Sequence, residues 1–247
     1  MNKSYINKIC SKFGFEVNGL SYMQALRKVA ITPNVFIKQK ELLNDKVQII
    51  FDLGANQGGI TKEYKKIFQD ARIYCFEPFP EMFKKLSDNV IGYDDVHVYN
   101  KAISYKTEKR TFYINENVDT NSLLESQHTG MRSDAQVKNR SIIEVEAISL
   151  DEFCKDNKIS KIDILKMDIQ GGELDALRGA EQLLKDKKIR LIYTEIYFVA
   201  QYINQPLFQD IMLFLYQKGY QLQDIYNPIY GNGSIAWCDA IFLPNRS

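Results

Sequence analysis

Two acidic residues stand where a reaction could be run. Asp168 closes the run Ile162-Asp163-Ile164-Leu165-Lys166-Met167, and Glu195 ends the apolar run that begins at Ile189. A carboxylate in such a place can act as a general base, anchor a substrate hydroxyl, or ligate Mg²⁺, which prefers Asp and Glu oxygens. A bound metal would also acidify a substrate hydroxyl. His128 is a further candidate base, since imidazole titrates near neutrality. His97 falls in a strand-like run and reads as structural. A second constellation surrounds Asp52-Leu53-Gly54-Ala55-Asn56-Gln57-Gly58-Gly59. There an apolar run passes through a glycine-rich turn into helical spacing, so that backbone N–H groups can approach a ligand closely. At the next strand end, Cys75-Phe76-Glu77-Pro78 places a carboxylate that can accept hydrogen bonds from both hydroxyls of a ribose. Together these describe a nucleoside-containing cofactor lying across the top of a parallel sheet. The loop lacks the G-x-G-x-x-G spacing of dinucleotide folds.

The elements that must position these groups alternate. Apolar runs predict strands at 47–53, 71–77, 96–103, 162–167 and 189–195, with helices at 57–68, 80–89, 150–156, 172–184 and 206–217 between and after them. Period-two patterns at 110–115 and 142–149 predict an extra strand pair. The polar stretch 117–141 between them is long enough to serve as a lid over the site. The last strands, 220–226 and 235–243, have no helix between them and must pair antiparallel. The segment 227–233 reads as the turn joining them. Asp168 and Glu195 then end adjacent strands and face one crevice, whereas Glu173, beginning a helix, is better explained as a cap. Aromatic residues near these strand ends, among them Tyr197, Tyr202 and Tyr226, are available for stacking on an acceptor.

Composition narrows the class. With 45% hydrophobic residues and a net charge of +1, the chain can build a large core but has no global field for nucleic acid. Residues 1–45 hold seven Lys/Arg against three Asp/Glu, a local +4 that leaves −3 for the remainder. They read as a helical extension to a domain over 46–247, and offer a place for peripheral membrane or subunit contact, a homo-oligomer included. The four cysteines lack metal or disulfide spacing, and no run is long enough to span a bilayer. The expectation is a reduced, cytoplasmic protein.

A mostly parallel α/β sheet of seven strands, flanked by helices and finished by an antiparallel hairpin, is the Rossmann-like layout of class I methyltransferases. From about Val47 to Leu243 the chain resembles the FkbM family of S-adenosylmethionine-dependent methyltransferases. The likeness is carried by Phe51–Gly58, Phe76-Glu77-Pro78, Asn100-Lys101-Ala102, Ser149-Leu150-Asp151, Ile162–Glu173, Leu177-Arg178-Gly179-Ala180 and Glu195. One departure is Gln170 followed by Gly171-Gly172, where the usual motif has Glu before a single Gly. The resemblance implies that Gly54, Ala55, Asn56 and Gly58 lie along the methionine part of S-adenosylmethionine and that Asp52 holds its ammonium, directly or through water. It also puts Glu77-Pro78 at the ribose and Ala102 beside the adenine. It implies O-methylation of a sugar hydroxyl in a glycan or glycolipid precursor. The alternatives are a small metabolite or lipid acceptor, or a binding module without turnover.

Overall fold

The computed structural model describes residues 34–44, 47–127, 139–231 and 233–245. The expected helical pieces between Tyr5 and Val29, Cys10, His128 and the later part of the polar stretch lie outside these residues. The chain divides after Val35, and the larger of its two units, Phe36–Ser247, carries both sheets and the site they form.

Helix α1 (Val35–Leu43) leads to strand β1 (Ile49–Leu53), buried on both faces as a central parallel strand must be. Helix α2 (Gly59–Ile67), β2 (Arg72–Phe76), α3 (Pro80–Asn89) and β3 (Val96–Tyr99) follow, with Pro80 at the start of α3, where its missing N–H costs nothing. The middle comprises β4 (Ala102–Ile103), β5 (Glu108–Asn115), a 3₁₀ turn (Val118–Thr120) and β6 (Asn139–Ile148). The second half runs α4 (Leu150–Asp156), β7 (Ile164–Met167), α5 (Glu173–Arg178), α6 (Glu181–Lys185), β8 (Ile192–Tyr197), α7 (Phe208–Gln217), β9 (Tyr220–Gly231) and β10 (Ser234–Pro244).

The main sheet has the order β3-β2-β1-β7-β8-β10-β9, parallel except for β10 and β9. The mostly parallel seven-stranded sheet with its closing hairpin is therefore present. Its order reverses between β1 and β7, and crevices form at such switch points above the strands' C-terminal ends. The core beside it is aromatic: Phe153 packs edge-on against Phe76 and Tyr99 at 4.8 and 4.9 Å between ring centroids. Cys75, Cys154 and Cys238 are buried free thiols in this interior.

Three local expectations are corrected. The run 96–103 is split between two sheets, because the Asn100 side chain donates to the carbonyls of Glu77 and Pro78 and marks the break after Tyr99. The period-two segments pair as expected, β5 antiparallel to β6, and do so in a separate three-stranded sheet of order β4-β6-β5. The helix over 172–184 is two helices broken at Gly179. A Cβ there would sit 2.1 Å from the Ser104 carbonyl oxygen, and the Gly179 carbonyl accepts from Asp151 N. Asp151 then caps α6, its carboxylate accepting from the backbone N–H groups of Gln182 and Leu183 at 2.8 and 3.0 Å. The turn expected over 227–233 is mostly strand: β9 reaches Gly231, because it lies at the sheet edge, where Pro228 leaves no ladder bond unmade. Asn227, at φ 49°, marks the irregularity.

Candidate functional site

A cavity of about 640 Å³ opens above the C-terminal ends of β1, β2, β7 and β8. One end is formed by the loop after β1. Gly54, at φ 72°, is required there: a Cβ would lie 2.0 Å from the Asp168 carbonyl oxygen, so only glycine lets β1 and β7 close up. The loop's N–H groups are turned inward. Gly54 and Ala55 donate to the Phe76 carbonyl, Gly58 to that of Ala55, and Asn56 to Glu77 Oε2 at 3.0 Å. Those four groups make no nest for a pyrophosphate.

Glu77 lines the cavity at the end of β2, with Pro78 beside it. Its Oε1 also accepts from Phe79 N at 2.9 Å. Burial pushes the carboxyl up to about 7, against the lowering effect of those two backbone donors. Ala102 and Phe112 bring the second sheet to the same wall. Asn56 and Asn121, both on the wall, carry buried side-chain atoms with no partner among the described residues, an acceptor oxygen on Asn56 and a donor nitrogen on Asn121.

Asp52 and Gly58 are not on the wall. Asp52 is fully buried beneath it, paired with Lys166 Nζ at 2.9 Å and accepting from the Thr61 hydroxyl at 2.7 Å. Lys166 draws no role from the sequence motifs, yet it underlies the site, donating also to the carbonyls of Leu53 and Gly54. Burial pushes its ammonium down, but Asp52, Asp168 and Glu77 outweigh that and raise it, so it stays charged. A lysine inside an apolar buried strand is the signal that could have found it, since such a charge needs a partner.

Asp168, just past the end of β7, and Glu195, which lies within β8 and not at its end as expected, do meet at the other end of the cavity. Asp168 is exposed and Glu195 half-buried. The buried Gln170 lies between them and donates from Nε2 to Asp168 Oδ1 at 2.8 Å and to Glu195 Oε2 at 2.9 Å. The Tyr197 hydroxyl also bonds Glu195 Oε2. The donor set does not fit Mg²⁺: an amide N–H₂ has no lone pair to give, and it occupies the space between the two carboxylates. Among the described residues no cluster of three or more His, Cys, Asp or Glu is arranged to hold a metal. Glu173 is buried outside the lining, where its carboxylate accepts at 3.0 Å from Ile169 N in the turn that precedes α5.

The tyrosines near the strand ends do not line the cavity. Tyr197 and Tyr202 are buried and direct their hydroxyls to Gln170, and Tyr226 is buried elsewhere. His97 packs on Tyr74, away from the lining. The described part of the polar stretch supplies instead a wall of Asn117, Asp119, Thr120 and Asn121. This wall is tied down: Asn56 Nδ2 donates to Asp119 Oδ1 at 2.8 Å, and Ser122 Oγ to the Gln170 carbonyl at 2.7 Å.

The family model described as the methyltransferase FkbM domain matches residues 52–222. A 2-O-methyltransferase, NoeI, of Sinorhizobium fredii is 25% identical over 194 residues, covering 76% of each chain. Methyltransferase sdnD of Sordaria araneosa is 28% identical over 159 residues, covering 54% of this chain and 60% of its own. Among solved structures, a precorrin-6y C5,15-methyltransferase of Geobacter metallireducens has a TM-score of 0.47 at 13% identity, covering 87% of this chain and 90% of that one. Matched over more than two thirds of its length by the family model, the chain belongs to the FkbM methyltransferases, which depend on S-adenosylmethionine.

Proposed function

We propose that the enzyme methylates a sugar hydroxyl of a glycan or glycolipid precursor. The observation that carries this is the cavity's two-ended chemistry: a buried ribose-type carboxylate at Glu77, and an exposed carboxylate at Asp168 facing a polar wall. S-adenosylmethionine, when bound, supplies a methyl group on a sulfonium. In this reading Glu77, with Pro78, holds the ribose, Ala102 borders the adenine, and Gly54, Ala55 and Asn56 follow the methionine part. Asp168 takes the proton of the acceptor hydroxyl as the new C–O bond forms, because a protonated sugar hydroxyl is a poor nucleophile. Among the described residues only its Oδ1 is engaged, whereas Glu195 Oε2 already accepts from both Gln170 and Tyr197. Asp168 is therefore the base and Glu195 the hydroxyl anchor. Methyl transfer neutralises charge, so alignment of the two reactants supplies much of the rate. The 2-O-methyltransferase among the relatives supports oxygen as the acceptor atom.

The test is methyl transfer from labelled S-adenosylmethionine to a panel of nucleotide sugars, glycan fragments, small metabolites and lipids. Label entering the sugars supports the proposal; label entering only the metabolites or lipids moves the acceptor class. Asp168→Asn should retain S-adenosylhomocysteine affinity within about threefold and lose at least about a hundredfold in turnover. An active Asp168→Asn enzyme would remove the base assignment.

A further inference from the structure

Gln170 is held from several sides in one orientation. Its Oε1 lies 2.8 Å from the Tyr202 hydroxyl and 3.2 Å from the Tyr197 hydroxyl, whose single proton goes to Glu195 Oε2, while Nε2 donates to Asp168 and Glu195. Reversing the amide would turn its carbonyl oxygen toward two carboxylates, an arrangement with no donor between them. The backbone is held as well: φ is 54°, and Ser122 Oγ donates to the residue's carbonyl. Tyr202 in turn reaches the Thr120 carbonyl at 2.9 Å, so the clamp is continuous with the cavity wall.

We propose that Gln170 is a positioning residue that locks Asp168 and Glu195 into a metal-free carboxylate pair, its amide nitrogen occupying the point between them where a divalent cation would bind. This rests on Asp168 being the acceptor-side base. Two N–H donors on one neutral group orient both acids without adding charge and leave Asp168 Oδ2 available to an acceptor hydroxyl. A glutamate here, as in the usual form of the motif, replaces those donors with oxygens. The three carboxylates then form a hard oxygen donor set suited to a divalent cation. The exchange of one amide for one carboxylate thus decides whether the pair is organised by hydrogen bonds or by a cation.

The experiment titrates Mn²⁺ into chelator-treated protein in the presence of S-adenosylhomocysteine and follows the free-ion signal by electron paramagnetic resonance. Wild type is expected to take up no Mn²⁺ that depends on Asp168. Gln170→Glu is expected to bind Mn²⁺ at least about tenfold more tightly than wild type, and adding Asp168→Asn should abolish that gain. Wild-type uptake that Asp168→Asn removes would overturn the proposal. So would a Gln170→Glu variant that binds S-adenosylhomocysteine yet takes up no more Mn²⁺ than wild type. If Gln170→Glu does not fold, the wild-type comparison with Asp168→Asn decides alone. Calorimetry with S-adenosylhomocysteine is read separately, and its failure in wild type would count against the methyl-donor assignment and not against the clamp.

Discussion

If Glu77 holds the ribose, as proposed, it couples cofactor binding to pH. Its carboxyl is pushed up to about 7 by burial, and ribose hydroxyls can donate two hydrogen bonds only to the ionised form. Binding must therefore release a proton below that value. S-adenosylhomocysteine affinity is expected to be roughly tenfold weaker at pH 6 than at pH 8, with a buffer-dependent heat in calorimetry that reports the proton. Glu77→Gln should weaken binding and flatten the pH dependence; a variant with the wild-type slope would remove the ribose assignment. Stability without ligand has the opposite sign. Glu77 and Glu173 are both raised to about 7, Glu173 by burial against its backbone donors. Below the ordinary carboxylate range both the folded and the unfolded chain are protonated, and these groups carry no penalty. As pH rises toward 7 the unfolded chain ionises first, so their contribution is lost, on the order of 3 kcal/mol each. Denaturant midpoints of the ligand-free protein should thus fall between pH 5 and 8 and recover in part in Glu77→Gln.

Strand register explains what no single residue does. Asp52 and Lys166 are direct partners in the β1–β7 ladder, and both side chains are buried, so each is the other's reason for being tolerated. Removing the cation alone leaves a buried carboxylate unpaired. Lys166→Met is expected to cost about 3–5 kcal/mol, whereas Asp52→Asn combined with Lys166→Met should recover much of that loss. Additive losses in urea denaturation would show that the two residues act independently. The same register shows why some elements are legible in the sequence and others are not. β1, β2, β7 and β8 are mostly apolar runs, a pattern that strands buried on both faces need, and the carboxylates at or near their C-terminal ends can be placed together without coordinates. Lys166 escapes such a reading because its partner lies on a distant strand, in a register that hydropathy does not encode. Alternation predicts that β5 and β6 pair, but a period of two carries no information about which sheet they join. The segment 172–184 keeps helical spacing through a break set by a distant contact, Gly179 against Ser104. Gln170 stands out in the sequence as a departure from the usual motif; its side-chain partners come together only when β7, β8 and the segment after β8 converge.

The whole molecule builds its cavity from two sheets, and this predicts where ligand binding should be felt. Glu77 and the β1 loop belong to the main sheet, while Ala102, Phe112 and the Asn117–Asn121 wall come from the smaller one. The two halves are joined by the Asn56–Asp119 hydrogen bond and by Ser122 on Gln170. No helix among the described residues is long and apolar enough to cross a membrane. A ligand that contacts both halves stabilises them as one unit, and at about a hundred times its dissociation constant it adds about 2.7 kcal/mol to stability. Hydrogen exchange with S-adenosylhomocysteine should therefore slow amides in 54–58 and in 112–123 together, by comparable factors of up to about a hundred where exchange requires opening of the bound state. Asn56→Ala should leave protection in the β1 loop largely intact while reducing it in 117–121, because one of the two hydrogen bonds that join the halves is gone. Protection confined to the main sheet in the wild type would mean that the smaller sheet serves the acceptor alone. The β1 loop and Glu77 would then have to hold the methyl donor without a second wall.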